Sequence, residues 1–313
     1  MEGRQLNPKM LASEAANYMN VSVQAVHKKI KGQNLKVGKS QNRVYFSHTT
    51  AKELFKLTFQ PKTYVFHLVK GGVGKTVMAF LFGIRSALYG AKVLFIEIDQ
   101  QGNLTRSCGI NANNSPVIID VLTQNISIND CILPVIDGID IIPSRVDNAL
   151  LDNTLMLQHK KYPLNKVYKE LFNPLKEKYD VVIVDCPPSI GSSVSAAALA
   201  SDVVVMPVNP TDYSISGLDL TYKELSEVLT NFNVNIDIKI LFNKFDGRTK
   251  LSFNTLTDLI KNEIYGPKMV KTYVRASQQI ENSIVNGGSI FETTRNTPEK
   301  EDIDTLTREL LGI

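Results

Sequence analysis

The sequence has no long apolar run, no signal-peptide-like apolar core in its first ten residues and few cysteines, and each of these features argues against a class of protein. None of its apolar stretches reaches roughly 18 residues, so a membrane-spanning helix is not expected. The N-terminal sequence MEGRQLNPKM lacks the apolar core of a signal peptide. Cys108, Cys131 and Cys186 show no C-x-x-C spacing, which argues against a disulfide framework or metal cluster. These features predict a cytoplasmic protein with reduced, buried thiols.

Charge is distributed unevenly along the chain. Residues 1–62 contain 11 Lys and Arg against 3 Asp and Glu, a net charge of +8, whereas the remaining residues contain 24 against 28, a net charge of −4. The length of 313 residues favours one large domain and one small domain. A small basic domain beside a mildly acidic one predicts that the basic one contacts nucleic acid. The alternative is a solvated basic tail.

The first 60 residues have the pattern of a helix-turn-helix. Apolar residues recur at helical spacing over 11–19, and Ser22 is a candidate N-cap for a second helix over 23–31. A helix that follows a tight turn in this way is the element that such domains place in the major groove of DNA. Gln24 and Lys28 are therefore predicted to contact DNA, because they should be exposed on the second helix.

The rest of this segment extends the pattern. A hairpin strand is predicted over 42–46 and a third helix over 49–57, and Pro61 marks a linker. Together these elements resemble a small winged helix-turn-helix domain of the MerR and excisionase type. The alternative is a three-helix docking or dimerisation module. The predicted domains are 1–60, which would bind DNA, and 61–313.

A glycine-rich stretch organises the larger domain. A short buried strand is predicted over 64–69 and a helix over 77–89, so the glycines lie between a strand and a helix, the context of a phosphate-binding loop. Backbone N–H groups and the helix N-terminus would face the phosphates. The predicted nucleotide-binding residues are Lys70, Gly71, Gly72, Val73, Gly74, Lys75, Thr76 and Val77.

Two carboxylates follow buried strands of the same domain. Strand and helix signals alternate from residue 64 onward, which predicts a doubly wound, mostly parallel α/β sheet of the P-loop NTPase kind. Asp99 follows a strand over 92–98, and Asp185 ends the apolar run over 181–185. The second pattern is typical of a strand that delivers a carboxylate to Mg²⁺. Thr76, Asp99 and Asp185 are the predicted metal-binding residues.

The motif x-K-G-G-x-x-K-[ST] at 69–76 resembles the deviant Walker A loop of the ParA/MinD family of ATPases. The segment at 97–103 resembles the family's D-x-D-P-Q-G-N, with Glu97 in place of the first Asp and Gln100 in place of Pro. Cys186-Pro187-Pro188 resembles the family's D-x-P-P segment. The likeness covers about residues 60–313 and is closest to plasmid partition ParA proteins with an N-terminal helix-turn-helix domain.

The resemblance implies roles for single residues. Lys75 would neutralise phosphates, and Asp99 would orient the attacking water. Lys70 would cross a dimer interface to the partner's nucleotide, so an ATP-sandwiched homodimer is expected. Asn243 would read the adenine, for which its amide is chemically suited. Arg248 and Arg275 lie in the two C-terminal segments that carry the family's DNA-contacting arginines, although each could instead pair with local carboxylates such as Asp246.

The expected function is that of a Mg²⁺-dependent DNA-partition ATPase. Such a protein would bind ATP, dimerise, coat DNA without sequence preference on the nucleoid and be stimulated by a ParB-type centromere-binding partner. The acidic polar face of 302–311 argues against the membrane-binding helix of MinD-like relatives. One alternative is a transcriptional repressor whose binding to its operator is regulated by nucleotide. Another is the positioning of a different cargo, such as a protein cluster.

Overall fold

The computed structural model describes residues 5–40, 42–285 and 287–313, with the side chain of Tyr213 excepted. Short 3₁₀ helices lie at Ile128–Cys131, Val146–Leu150, Asn173–Glu177, Gly266–Lys268 and Ile290–Glu292. The α-helices, in chain order, are α1 (Ala12–Tyr18), α2 (Val23–Gly32), α3 (His48–Phe55), α4 (Lys75–Leu88), α5 (Asn103–Ser107), α6 (Ile118–Gln124), α7 (Leu151–Leu157), α8 (Leu164–Phe172), α9 (Ser192–Leu199), α10 (Asp212–Asn231), α11 (Lys250–Lys261), α12 (Gln278–Val285) and α13 (Pro298–Leu311).

Two sheets are present in the described residues. The larger sheet has the order β11-β10-β9-β4-β8-β5-β7-β6, and its neighbours are parallel except for the antiparallel pair β6 and β7. The smaller, antiparallel sheet has the order β1-β3-β2. The strands are β1 (Met10–Leu11), β2 (Gly38–Ser40), β3 (Arg43–Phe46), β4 (Lys62–Phe66), β5 (Val93–Glu97), β6 (Leu133–Ile136), β7 (Ile139–Ile142), β8 (Val181–Asp185), β9 (Val203–Val208), β10 (Asp237–Phe245) and β11 (Met269–Arg275).

Helices cover both faces of the larger sheet, so its central strands consist mainly of buried apolar residues. Successive side chains of a strand point to opposite faces, and along β8 Val182 and Val184 enter one core while Val181 and Ile183 enter the other. Continuous apolar runs are the sequence signature of such doubly covered parallel strands. The α/β P-loop fold with a mostly parallel sheet is the predicted one. No helix in the described ranges is both long and apolar enough to cross a membrane.

The strand predictions were accurate where the apolar run was long and unbroken. The run 181–185 coincides with β8, but the strand predicted over 64–69 ends at Phe66, where the chain begins to turn into the glycine loop. The helix after that loop begins at Lys75, two residues before its predicted start. β6 was not predicted, because it is a short edge strand that contains a proline, Pro134.

The N-terminal elements α1, α2, β2, β3 and α3 have the predicted order, and they pack directly on the larger domain. Apolar residues of α1 and α3 belong to the same core cluster as those of α4 and α13. Tyr89, just after α4, packs edge-on against Tyr18 at a centroid distance of 4.9 Å, and its centroid lies 5.7 Å from that of Phe55. β4 begins at Lys62, the last residue of the predicted linker 59–62. The two parts therefore share one continuous core.

Candidate nucleotide-binding site

The glycine loop occupies the turn between β4 and α4. Gly72 and Gly74 have φ values of +77° and +94°, a conformation that favours glycine. Gly74 also has no room for a side chain, because a Cβ there would lie 2.4 Å from Nδ2 of Asn243. The loop therefore depends on glycine both for its backbone conformation and for the close approach of β10. It leads into α4, whose free N–H groups and dipole favour an anion.

Lys75 points back over this loop. Its Nζ donates a hydrogen bond of 2.9 Å to the carbonyl oxygen of Lys70, and the side chain is largely buried. Burial lowers the pKa of Lys75, while Asp185 and Asp99 act in the opposite direction. The ammonium group is thus held in a partly desolvated place between the loop and two carboxylates, where a phosphate would be an effective counter-ion.

Asp185 and Glu97 occupy adjacent positions at the carboxyl ends of β8 and β5, paired in the parallel register. Both are fully buried, and burial raises the pKa of each, that of Glu97 to about 7. Their environments differ, however. Neither oxygen of Asp185 accepts a hydrogen bond from any described residue, whereas both oxygens of Glu97 accept hydrogen bonds from the start of α5.

The environment of Asp185 fits a magnesium ion. A buried carboxylate without hydrogen-bond partners is costly unless a cation faces it, and the nearby Thr76 hydroxyl opposes only part of the effect of burial on its pKa. Mg²⁺ usually takes one or two carboxylates together with phosphate oxygens and water. No cluster of three or more His, Cys, Asp or Glu side chains suited to a metal occurs in the part of the chain described. Thr76 and Asp185 would hold the ion, together with phosphate, and the contact of Asp99 with the metal stays a prediction.

Asp99 lies in the loop 98–102, between β5 and α5, which we call the Asp99 loop. Its side chain is mostly buried but lines the same cavity as the glycine loop. The Oδ1 atom accepts a hydrogen bond of 3.0 Å from the backbone N–H of Gln101. The second oxygen, Oδ2, can therefore contact a water molecule in the cavity.

A cavity of about 1020 Å³ is lined by the glycines of the loop, Lys75, Thr76 and Asp99, whereas Asp185 and Glu97 are fully buried and do not line it. The cavity is also lined by Lys244, by residues of α12 and by Asn243, which lies directly beside the glycine loop. Its volume is at the upper limit of what small-molecule sites usually have, which suits a nucleotide. The structure thus brings Asp99 and Asn243, which are 24 and 168 positions after Lys75 in the chain, to the same cavity.

Asn243 is nearly buried where β10 approaches the glycine loop. Its Nδ2 donates a hydrogen bond of 2.8 Å to the carbonyl oxygen of Val73, and its Oδ1 accepts one of 2.9 Å from the N–H of Lys244. The amide therefore already ties β10 to the phosphate loop. Nδ2 has a second hydrogen and Oδ1 a second lone pair, so the contact with adenine stays a prediction.

Arg248 and Arg275 lie on the border of the same cavity, and each is paired with a carboxylate. Arg248 holds both oxygens of Asp246 at 2.9 Å, and its side chain is 89% exposed. Arg275 holds both oxygens of the buried Asp302, at 2.9 Å and 2.7 Å. Local pairs of this kind were the predicted alternative to DNA contact, and the structure contains them. Gln24 and Lys28 lie elsewhere, exposed on α2.

Sequence reasoning missed two functional candidates. His67 precedes the glycine loop and is buried, and the backbone of its partner Pro187 offsets a small part of the lowering of its pKa by burial. The sequence identifies Glu97 only as a departure from the family pattern. In the structure its carboxylate connects the two ends of the Asp99 loop through hydrogen bonds from the start of α5. The replacement of an otherwise expected Asp was the available signal for Glu97. For His67 no signal existed, because its partner is 120 residues away.

Comparison with known proteins agrees with this geometry. A family model described as an AAA domain matches residues 62–240, which is more than half of the chain. The virulence plasmid ParA family protein pGP5-D of Chlamydia psittaci is 32% identical over 257 residues, covering 80% of this chain and 94% of that protein. The sporulation initiation inhibitor protein Soj of Bacillus subtilis is 30% identical over 225 residues, covering 71% of this chain and 87% of Soj.

Solved structures show the same fold. A putative plasmid partition protein from Borrelia burgdorferi bound to AMPPNP superposes with a TM-score of 0.66 and 21% identity, covering 81% of this chain and 99% of that chain. At this identity the likeness concerns the fold alone. The family match begins near the glycine loop, and the N-terminal elements lie outside the matched range 62–240.

Proposed function

Since this chain belongs to the ParA family of P-loop ATPases, we propose that it binds ATP and Mg²⁺ and hydrolyses ATP to partition DNA. The observation that carries the proposal is the cavity at the glycine loop that Lys75 and Asp99 line, together with the buried Asp185 carboxylate near Lys75, which has no hydrogen-bond partner in the described residues. Phosphoryl transfer requires charge neutralisation and a positioned nucleophile, and these groups supply both.

Each residue has a distinct part in this reaction. The backbone N–H groups of the glycine loop and the Lys75 ammonium would neutralise the nucleotide's phosphates. Thr76 and Asp185 would hold Mg²⁺, which would act as a Lewis acid on the phosphates of the nucleotide. Asp99 has one oxygen committed to Gln101 and would orient water with the other. Asn243 would fix the base while it holds the loop through Val73.

Dimerisation with ATP is the second part of the proposal. Lys70 lies at the exposed entrance of the glycine loop, and its carbonyl oxygen accepts the hydrogen bond from Lys75. A long, flexible ammonium side chain at this place can reach a nucleotide in a second copy of the chain. A homodimer would also present every DNA-contacting arginine twice, which raises affinity through multivalency. DNA on the nucleoid and a ParB-type protein are the proposed partners.

The test is a comparison of three variants with the wild-type chain. Asp99→Ala should keep ATP binding and lower the hydrolysis rate by about 10²-fold or more, because it removes water placement and leaves the phosphate-binding groups intact. Lys75→Ala should abolish nucleotide binding. Lys70→Ala should keep ATP binding as a monomer and reduce the dimer fraction with AMPPNP in light scattering. Wild-type-like turnover in Asp99→Ala would refute the proposed mechanism.

A second candidate function is that of a nucleotide-regulated repressor, and the N-terminal elements favour it. α2 begins with the Ser22 side-chain cap, and its exposed face carries Gln24 and Lys28. The β2–β3 hairpin follows as a wing would. Gel shifts with random and operator-containing DNA, each with and without ATP, separate the two functions. Partition predicts ATP-dependent binding to any duplex, whereas repression predicts preference for one site.

A further inference from the structure

The side chain of Glu97 spans the Asp99 loop from one end to the other. It is fully buried at the end of β5, and its oxygens accept hydrogen bonds of 2.9 Å from the N–H of Leu104 and 2.8 Å from the N–H of Thr105. The Thr105 hydroxyl donates a third, of 2.5 Å. These donors belong to the first turn of α5, so one carboxylate joins the strand before the loop to the helix after it.

We propose that Glu97 is a positioning residue that holds Asp99 in place by capping α5, an inference that rests on the proposed ATPase function. The residue before α5 is Gly102, which has no side chain to cap the helix. The first N–H groups of a helix need an acceptor from elsewhere, and Glu97 provides it. Because the loop contains only residues 98–102, fixing both ends restricts where the Asp99 carboxylate can lie.

A network around Glu97 keeps the carboxylate itself from moving. The Thr105 hydroxyl, which donates to Glu97, accepts a hydrogen bond of 2.9 Å from the N–H of Ser144. The Asn148 amide donates to the backbone oxygen of Glu97 at 3.4 Å and to the Ser144 hydroxyl at 2.8 Å. All of these partners are buried, so the network is rigid and satisfied.

The same contacts distinguish Glu97 from a metal ligand. Its oxygens are occupied by three protein donors, whereas those of the neighbouring Asp185 have no hydrogen-bond partner in the described ranges. Glutamate is one methylene longer than the Asp of the family pattern, and the extra length lets the carboxylate reach past the loop. Its contribution is therefore to the shape of the loop and not to the ion.

The other departure from the family pattern, Gln100 in place of Pro, lies within the Asp99 loop. The N–H of Gly102 donates a hydrogen bond of 3.1 Å to the oxygen of Asp99, so residues 99–102 form a turn with Gln100 in its second position. Proline is favoured at that position because its ring presets φ. This chain has no such constraint at residue 100, and the hydrogen bonds of Glu97 to the start of α5 restrict the Asp99 loop instead.

The experiment uses the full-length chain and the conservative change Glu97→Gln, which keeps the side-chain shape but offers one acceptor oxygen instead of two. We expect kcat for ATP to fall by about 10- to 100-fold, as for a misplaced catalytic group, with the Kd for ATP changed less than about threefold. Hydrogen exchange at the amides of residues 99–105 should accelerate by about tenfold, since their opening costs less. Thr105→Val, a milder change that removes one donor, should act in the same direction.

The matched control is Gln100→Pro. Alone it should leave kcat within about twofold, and in the Glu97→Gln background it should recover part of the rate and of the exchange protection, because proline restricts the same loop. Unchanged exchange in Glu97→Gln would overturn the proposal. So would a reduced rate that proline does not recover together with a raised Mg²⁺ requirement, since that pattern belongs to a metal ligand. A wild-type chain without ATPase activity would refute the proposed function instead, and exchange would still decide the role of Glu97.

Discussion

At the scale of single residues, burial alone does not assign a role to a charged group. Asp185 and Glu97 are neighbours in register and equally buried, but only Glu97 is saturated with hydrogen bonds. The unsatisfied carboxylate is the one suited to a cation, and the satisfied one supports the backbone. Distinguishing the two requires the donors around each oxygen, which come from α5 in one case and are missing from the described residues in the other.

His67 provides a prediction about pH. Burial lowers its pKa from 6.5 to about 3, and the nearby Lys75 adds to the effect. Below pH 6.5 the unfolded chain therefore binds a proton at His67, whereas the folded chain does so only near pH 3. The free energy of unfolding is highest above pH 6.5 and decreases as pH falls towards 3. Between pH 7 and pH 5, urea unfolding should show the wild type losing up to about 2 kcal/mol more than His67→Gln.

The control for this measurement is His159→Gln, a change of an exposed histidine whose ring only contacts a backbone oxygen of its own turn. That variant should follow the wild type over the same pH range. If His67→Gln lost stability in parallel with the wild type, the ring of His67 would be accessible to a proton in the folded protein.

At the scale of elements, the turn after β10 and the end of β11 place two arginines beside the cavity in different settings. Arg248 is highly exposed and pairs with Asp246 two residues away, whereas Arg275 pairs with Asp302 of α13, whose side chain is 7% exposed. The first pair is a local surface contact of the kind that contributes little to stability. The second fastens an edge strand to the C-terminal helix, because it satisfies a buried carboxylate.

This difference predicts separable effects of two substitutions. Arg248→Ala should weaken ATP-dependent binding to any duplex and lower the salt slope by about one for each phosphate that the protein no longer binds, with thermal stability unchanged. Arg275→Ala should reduce stability by about 1 kcal/mol in addition, because Asp302 loses its partner. Fluorescence anisotropy at several salt concentrations and thermal unfolding measure the two effects. Undiminished DNA binding in both variants would show that these arginines do not contact DNA and have only a structural role.

At the scale of the whole molecule, α4 connects the nucleotide site to the N-terminal elements. It begins with Lys75 at the glycine loop and ends near Arg85, which is buried and forms ion pairs with Glu14 of α1 at 3.3 Å and Asp304 of α13 at 2.6 Å. Arg85 also lies over the ring of Phe291. The N-terminal part is thus held by charge, aromatic contacts and a shared core, and not by a linker alone.

The shared core predicts one cooperative unfolding transition for the full chain. Removing residues 1–60 would expose Tyr89 and leave Arg85 with fewer partners, so the truncated protein should have a lower Tm or aggregate. Calorimetry of both proteins tests this. The doubly substituted Gln24→Ala/Lys28→Ala chain is the control, because it changes exposed residues of α2 and should keep the Tm of the wild type. An equal Tm after truncation would show that the two parts are independent.

The features that depend on neighbours along the chain were predictable from the amino-acid sequence. The glycine loop, the strand 181–185 and the acids that follow buried strands belong to this group, because local spacing specifies a strand, a turn and a helix start. The parallel order of the sheet then brought Asp99 and Asp185 to one edge, as the carboxyl ends of parallel strands require.

Contacts between distant segments became visible only in the folded chain. Asn243 meets Val73 across 170 positions, and Arg275 finds its partner in α13. The hydrogen bonds of Glu97 could not be predicted from the sequence for a different reason. Its partners are only seven and eight residues away, but whether a carboxylate at a strand end turns towards a metal or towards a helix start depends on the loop's path. The backbone path of that loop is set by tertiary packing, which the spacing of neighbouring residues along the chain does not determine.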